Sequence, residues 1–170
     1  MKTDSHLLVD GYNVIHGWPE LQVPSYKKAD GATLAREHLV AAVRVIHDVE
    51  GLKTTVVFDG QGKRNSIENP TEELSFSIIY AAANVSADGV IEQLVAKSMS
   101  PKGFIAVTRD RMISESLETL GATTITPEEL KDWIERCTTR QEQRLSENRR
   151  SAAMKWGQRL PFSKETKRKG

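Results

Sequence analysis

Apolar runs of strand length alternate along the chain with stretches of helical period, the mark of a parallel α/β sheet with crossover helices. Leu7-Leu8-Val9 runs into Asp10-Gly11, Thr54-Thr55-Val56-Val57-Phe58 into Asp59-Gly60, and Phe104-Ile105-Ala106-Val107 into Thr108-Arg109-Asp110. Two further strands are predicted over 74–80, where Phe76, Ile78 and Tyr80 alternate, and over 122–125. Helical spacing puts Leu39, Ala42, Val43, Ile46 and Val49 on one face of 32–49, Ile91, Leu94 and Val95 together in 87–98, and Ile113, Leu117 and Leu120 together in 111–120. Thr126-Pro127-Glu128-Glu129 reads as a cap, a first-turn proline and an acidic first turn, opening a helix that buries Leu130, Trp133, Ile134 and Cys137. Beyond Cys137 the stripe thins to Leu145. From Ser151, where Met154, Trp156, Leu160 and Phe162 scatter among Lys and Arg, the pattern predicts extended or disordered chain. The expected organisation is one α/β domain over 5–137, followed by a basic helical extension and flexible tail over 138–170.

A length of 170 residues suits a single domain, and 38% hydrophobic with 28% charged residues excludes collagenous, mucin-like and wholly disordered chains. The net charge of +1 conceals an asymmetry. Residues 1–137 carry 14 Lys+Arg against 20 Asp+Glu, a net of −6, whereas residues 138–170 carry 10 against 3, a net of +7. An acidic body with a basic tail can seek polyanions whatever its total charge. The single cysteine, Cys137, rules out an internal disulfide or a cysteine-based zinc site and suggests a reducing compartment. No run approaches a membrane span or a signal peptide, so the expected location is the cytosol, or an organelle after removal of a transit segment.

The three strands that end in aspartate decide the chemistry. Ligands of an open parallel sheet bind outside the carboxyl ends of its strands, and Asp10, Asp59 and Asp110 are predicted there. Asp88, after Ser86-Ala87 at a helix start, points at the same edge. Four converging carboxylates repel unless their pKa values rise or a cation neutralises them. Without a His or Cys cluster, Mg²⁺ or Mn²⁺ fits better than Zn²⁺, and such ions serve phosphodiester hydrolysis. Each aspartate also has a plainer reading, because Asp-Gly makes turns and Asp caps helices.

The ordered segments Leu8-Val9-Asp10-Gly11-Tyr12-Asn13-Val14-Ile15, Val56-Val57-Phe58-Asp59-Gly60, Ser86-Ala87-Asp88 with Val90-Ile91-Glu92, and Val107-Thr108-Arg109-Asp110 resemble the motifs of the YacP-like NYN domain family of the PIN-like nuclease superfamily. The resemblance covers residues 5–137. It implies a Rossmann-like, PIN-like three-layer fold with a central parallel sheet, and a metal-dependent endoribonuclease. For bacterial members of this short architecture it implies association with the ribosome and cleavage of translated mRNA. Position by position, Asp10 and Asp88 match the principal acidic residues and Asp59 and Asp110 the further ones, so all four are the implied metal ligands. Asn13 matches the signature asparagine that orients Asp10 or contacts the scissile phosphate. Arg109 stands where the family usually has a small residue, and can face the RNA backbone.

Several candidates carry two readings each. The loop Gly60-Gln61-Gly62-Lys63-Arg64-Asn65 is not a Walker A motif; Lys63 and Arg64 either contact RNA phosphate or form a flexible solvated turn. Tyr12 and Trp18 either stack on bases or are buried. Glu92, one turn after Asp88, is an outer ligand or a solvated partner. Arg149, Arg150, Lys155 and Trp156 combine charge with an aromatic ring, the usual recipe for RNA contact, and the tail is expected to dock RNA or the ribosome. The competing reading of the whole is a non-catalytic RNA-binding or ribosome-associated factor with a nuclease-like fold. A haloacid-dehalogenase-type phosphohydrolase needs a second Asp where this chain has Tyr12.

Overall fold

The computed structural model describes residues 5–21, 31–70 and 74–159. Leu160 and Phe162 of the expected tail lie outside the described residues. The elements, in chain order, are β1 (His6–Asp10), α1 (Gly11–Gly17), α2 (Gly31–Glu50), β2 (Lys53–Asp59), β3 (Ser66–Glu68), β4 (Phe76–Ala81), α3 (Ala87–Ala96), β5 (Phe104–Val107), α4 (Arg111–Leu120), β6 (Thr123–Ile125) and α5 (Pro127–Arg159). The strands form one six-stranded sheet in the order β3-β4-β2-β1-β5-β6. It is parallel throughout except for the short edge strand β3, which pairs antiparallel with β4.

Strand β1 is buried at every position, as a central strand covered on both faces should be. Successive side chains point to opposite faces, and the core divides accordingly. Leu7, Val9, Val56, Phe58, Phe76, Ile78 and Val107 pack with α1, α2 and α5 on one side. Leu8, Val57, Ile79, Ala81 and Ala106 pack with α3 and α4 on the other. The result is the expected three-layer α/β fold. The chain builds outward from β1 through β2 to β4, then crosses back to β5 and β6, so strand order reverses beside β1. That is where ligands settle in such sheets.

Three local features depart from the sequence reading. A two-turn helix, α1, begins immediately after Asp10, and β3 follows the Gly60–Asn65 loop; neither has a length or period that stands out in the sequence. The third concerns the tail: α5 continues unbroken through Ser151 to Arg159 instead of becoming extended. Its residues from 139 to 156 are all exposed, so packing does not hold this half. The run 140–156 contains neither Gly nor Pro and is rich in Arg, Gln, Glu and Ala. Such residues extend a helix cheaply once its packed first half has nucleated it. At 33 residues the helix is about 50 Å long.

Candidate active site at the carboxyl edge of the sheet

Asp10 ends β1 and serves as the N-cap of α1, its Oδ1 accepting the Asn13 amide hydrogen bond at 3.1 Å. Helix α1 lies close against β2 because residue 11 is glycine: a Cβ there would stand 2.2 Å from the Phe58 ring. At residue 60 a Cβ would stand 2.4 Å from the Ala81 carbonyl oxygen. Neither glycine has positive φ, so both Asp-Gly pairs reflect close packing at the edge and not a left-handed turn.

Asp59, at the end of β2, accepts the Ala87 amide at 2.8 Å and so ties the start of α3 to the sheet edge. That anchor delivers Asp88, in the first turn of α3 behind the Ser86 cap, toward Asp10. There the Asp88 carboxyl is close enough to act on Asp10. Asp10 is only 6% exposed. Burial, then the Asp88 carboxyl, raise its pKa from an ordinary carboxylate value to about 7; the Asn13 amide opposes the shift, and Asp59 adds to it. Asp88 Oδ1 is buried and has no hydrogen-bond partner. An orphaned carboxylate oxygen beside a carboxyl that resists ionisation is an arrangement a cation would relieve.

Asp110 reaches the same edge from β5 and caps α4, Oδ1 accepting the Met112 and Ile113 amides at 2.8 and 3.3 Å. Thr108 is buried and accepts the Asp110 amide, which fixes that turn. Asn13 joins the two halves: its side-chain oxygen accepts the Arg109 amide at 2.9 Å, linking α1 to the loop after β5. Asp10, Asp88 and Asp110 therefore stand at helix starts, while Asp59 ends β2; Asp10, Asp59 and Asp110 each use an oxygen on helix amides, so the plainer capping reading holds in part. Among the described residues, no group of three or more His, Cys, Asp or Glu side chains is gathered to hold a metal unaided. The Asp10–Asp88 pair nevertheless fits a hard cation that keeps several of its own waters, as Mg²⁺ does.

The other expected residues are more dispersed. Arg109 is exposed and its guanidinium pairs with Glu128 at the start of α5. Lys63 and Arg64 are exposed, but their loop is not loose: the Ala83 amide donates to the Gly62 carbonyl and the Ala82 amide to Asn65 Oδ1, both at 2.8 Å. Trp18 is 6% exposed and donates its indole N–H to the Pro127 carbonyl at 2.9 Å, which makes it a brace between α1 and α5 and removes it from base stacking. Tyr12 is half-buried, its ring edge against Phe58. Glu92 is also half-buried. Arg149, Arg150, Lys155 and Trp156 lie in the solvent-exposed half of α5, Trp156 at 71% exposure. Sequence reasoning missed Arg36 and Tyr80, which line a cavity against Asp59. Tyr80 stands one residue from the carboxyl end of β4, the position that singled out the aspartates, whereas Arg36 carries no such signal within a long amphipathic helix.

The YacP-like NYN domain family model matches residues 7–169. Among curated proteins, YacP of Bacillus subtilis, described as uncharacterized, is 33% identical over 88 residues, 52% of this chain and 49% of that protein. The matched stretch thus spans about half the length of that relative. The crystal structure of Rae1 (YacP) from Bacillus subtilis superposes with a TM-score of 0.68 at 25% identity, covering 91% of this chain and 88% of that one. A tryptophan-to-leucine variant of it gives 0.67 at 27% identity, covering 84% and 82%. The sheet and the flanking helices agree with these structures. The chain belongs to the YacP-like NYN domain family, whose PIN-like nuclease fold supports a nuclease or RNA-related role.

Proposed function

We propose that this protein is a metal-dependent endoribonuclease that hydrolyses RNA phosphodiester bonds at the Asp10–Asp88 pair, with mRNA on the ribosome as its substrate. The observation that carries the reading is the buried Asp88 Oδ1, which has no hydrogen-bond partner, on a residue whose carboxyl helps raise the pKa of Asp10 to about 7. A Mg²⁺ or Mn²⁺ ion bound there would lower the pKa of an attacking water and offset charge on the phosphoryl oxygens. Asp10 and Asp88 would hold it, with Asp59 and Asp110 completing the rim directly or through water. Asp59 also fixes the start of α3 through the Ala87 amide, and Asn13 keeps the rim's two halves in register. The water oxygen would bond to phosphorus as the P–O bond to the ribose breaks, the attacking water releasing a proton to solvent and the departing ribose oxygen taking one up. Lys63 and Arg64 in the pinned loop, Arg109, and Arg149, Arg150, Lys155 and Trp156 on α5 offset the acidic rim's repulsion of RNA.

A second reading, a non-catalytic RNA-binding or ribosome-associated factor, is favoured by one observation: Asp59 and Asp110 each spend an oxygen on helix amides. Titration calorimetry with Mn²⁺ separates the two. One stoichiometric site lost in Asp88→Asn supports the nuclease, whereas RNA binding without any metal site supports the factor. Mapping of RNA 5′ ends in cells carrying wild type or Asp10→Asn tests substrate and turnover together. New ends within translated messages, present only with wild type, are expected; identical maps would overturn the proposal.

A further inference from the structure

Beside the acidic rim lies a cavity of about 340 Å³ whose lining includes Tyr12, Arg36, Asp59, Gln61, Arg64 and Tyr80. Two of its lining residues, Tyr12 and Tyr80, rest on a third aromatic ring, Phe58. Phe58 is fully buried, Tyr80 stacks on it at 5.9 Å with a 24° interplanar angle, and Tyr12 meets it edge-on at 5.3 Å. The Arg36 guanidinium lies over the Tyr80 ring at 5.9 Å and donates to the Tyr12 hydroxyl at 3.5 Å and to Thr33 Oγ1 at 3.1 Å. A guanidinium has five N–H donors in a rigid plane, and here its charged carbon is held over the Tyr80 ring and the group is tied to Tyr12. Nothing in the proposed hydrolysis uses Arg36, Tyr12 or Tyr80. Such a braced plane suits an unpaired nucleobase, which stacks on guanidinium or aromatic faces in single-stranded RNA recognition. Arg64 on the same wall suits the nucleotide's phosphate, and Gln61 offers a donor and an acceptor to a base edge. Asp59 belongs to both the cavity wall and the rim, so an occupant would sit next to the phosphate at Asp10 and Asp88.

We propose that this cavity is a nucleotide subsite, in which Arg36, backed by Tyr80, stacks on one base of single-stranded RNA adjoining the scissile phosphate while Arg64 holds that nucleotide's phosphate. The proposal rests on the RNA-cleaving reading above for its place along the substrate, but its binding chemistry can be tested without turnover. The test is fluorescence anisotropy of a short labelled single-stranded oligoribonucleotide with full-length Asp10→Asn protein, with an abasic nucleotide moved one position at a time along the oligonucleotide. One abasic position is expected to weaken binding about tenfold, the order of one base stack. Adding Arg36→Ala is expected to weaken the intact oligonucleotide by a similar factor and to erase the sensitivity to that position, with an unchanged circular-dichroism spectrum. Arg36→Lys, which keeps charge without the plane, should behave as Arg36→Ala. Full affinity in Arg36→Ala, an abasic effect that persists without Arg36, or complete rescue by Arg36→Lys would each overturn the subsite. Adenosine monophosphate binding as tightly as the oligonucleotide would reassign the cavity to a free nucleotide and also overturn it. The two readings fail separately: intact RNA after incubation with wild type, alongside the expected anisotropy pattern, sinks the nuclease and leaves the subsite standing. Asp10-dependent cleavage with unchanged Arg36→Ala binding does the reverse.

Discussion

Asp10 and Asp88 bring their carboxyl groups together at the carboxyl edge of the sheet, one from the end of β1 and the other from the first turn of α3, and the second leaves a buried oxygen without a partner. This pairing costs stability when no cation is present. Asp10 carries its proton up to about pH 7 in the folded protein but only to about 3.8 when unfolded. Below the lower value both states hold the proton. Between the two values the folded state holds a proton that the unfolded state has released, so metal-free stability falls as pH rises from about 4 to about 7, by up to about 4 kcal/mol. Denaturant midpoints of metal-free protein across that range should show the decline in wild type and a flatter profile in Asp10→Asn. Adding Mn²⁺ above pH 7 should restore wild type alone, since a ligand of the folded state stabilises it by mass action.

Trp18 is a structural brace, so its removal should act on stability and leave RNA affinity alone. Trp18→Phe loses the indole hydrogen bond to the Pro127 carbonyl and should cost about 1–2 kcal/mol. Trp18→Ala also opens a cavity and should cost about 3–5 kcal/mol. Thermal melts measure both. Oligoribonucleotide binding by the folded fraction should match wild type, and a specific loss of RNA affinity would contradict the buried placement.

Asn13 couples the rim's halves through the Arg109 amide. Asn13→Ala should lower RNA cleavage by about tenfold or more, as small misplacements of reacting groups do, while stability falls by only about 1 kcal/mol for one missing hydrogen bond. A single-turnover assay beside a denaturation curve checks this.

Much of this site is legible in the chain because the strand-ending aspartates follow from periodicity: an apolar run that stops at Asp in a parallel sheet places that Asp at the ligand-binding edge. The capping by Asp10 and Asp110 is likewise a local signal. What the pattern does not carry is long-range. The Asp59 bond to the Ala87 amide, the Trp18 contact with Pro127 and the lodging of Arg36 over Tyr80 join residues far apart in sequence, and nothing in their neighbourhoods announces a partner. The exposed half of α5 shows the opposite failure. There the apolar stripe ends but the helix does not, because intrinsic propensity propagates a helix that packing has already started.

The exposed basic residues of α5 should act on RNA through charge alone. Replacing Arg149, Arg150 and Lys155 with Gln should leave melting within about 0.5 kcal/mol of wild type, as surface changes do. For every RNA phosphate that these side chains neutralise in wild type, the slope of log affinity against log salt should fall by about 0.7 in the variant, the value for single strands. Anisotropy over a salt series reads the slope, and an unchanged slope would place RNA elsewhere on the molecule.

The central claim is that the Asp10–Asp88 pair performs metal-assisted hydrolysis of RNA. Its most direct test is cleavage of labelled mRNA by the purified protein in a translating extract, comparing wild type, Asp10→Asn and Asp88→Asn in parallel. Wild type should produce discrete fragments and each variant should fall at least about 100-fold in rate, a deficit that neither protein concentration nor added Mn²⁺ recovers. Fragments formed by Asp10→Asn or Asp88→Asn at the wild-type rate would contradict the account.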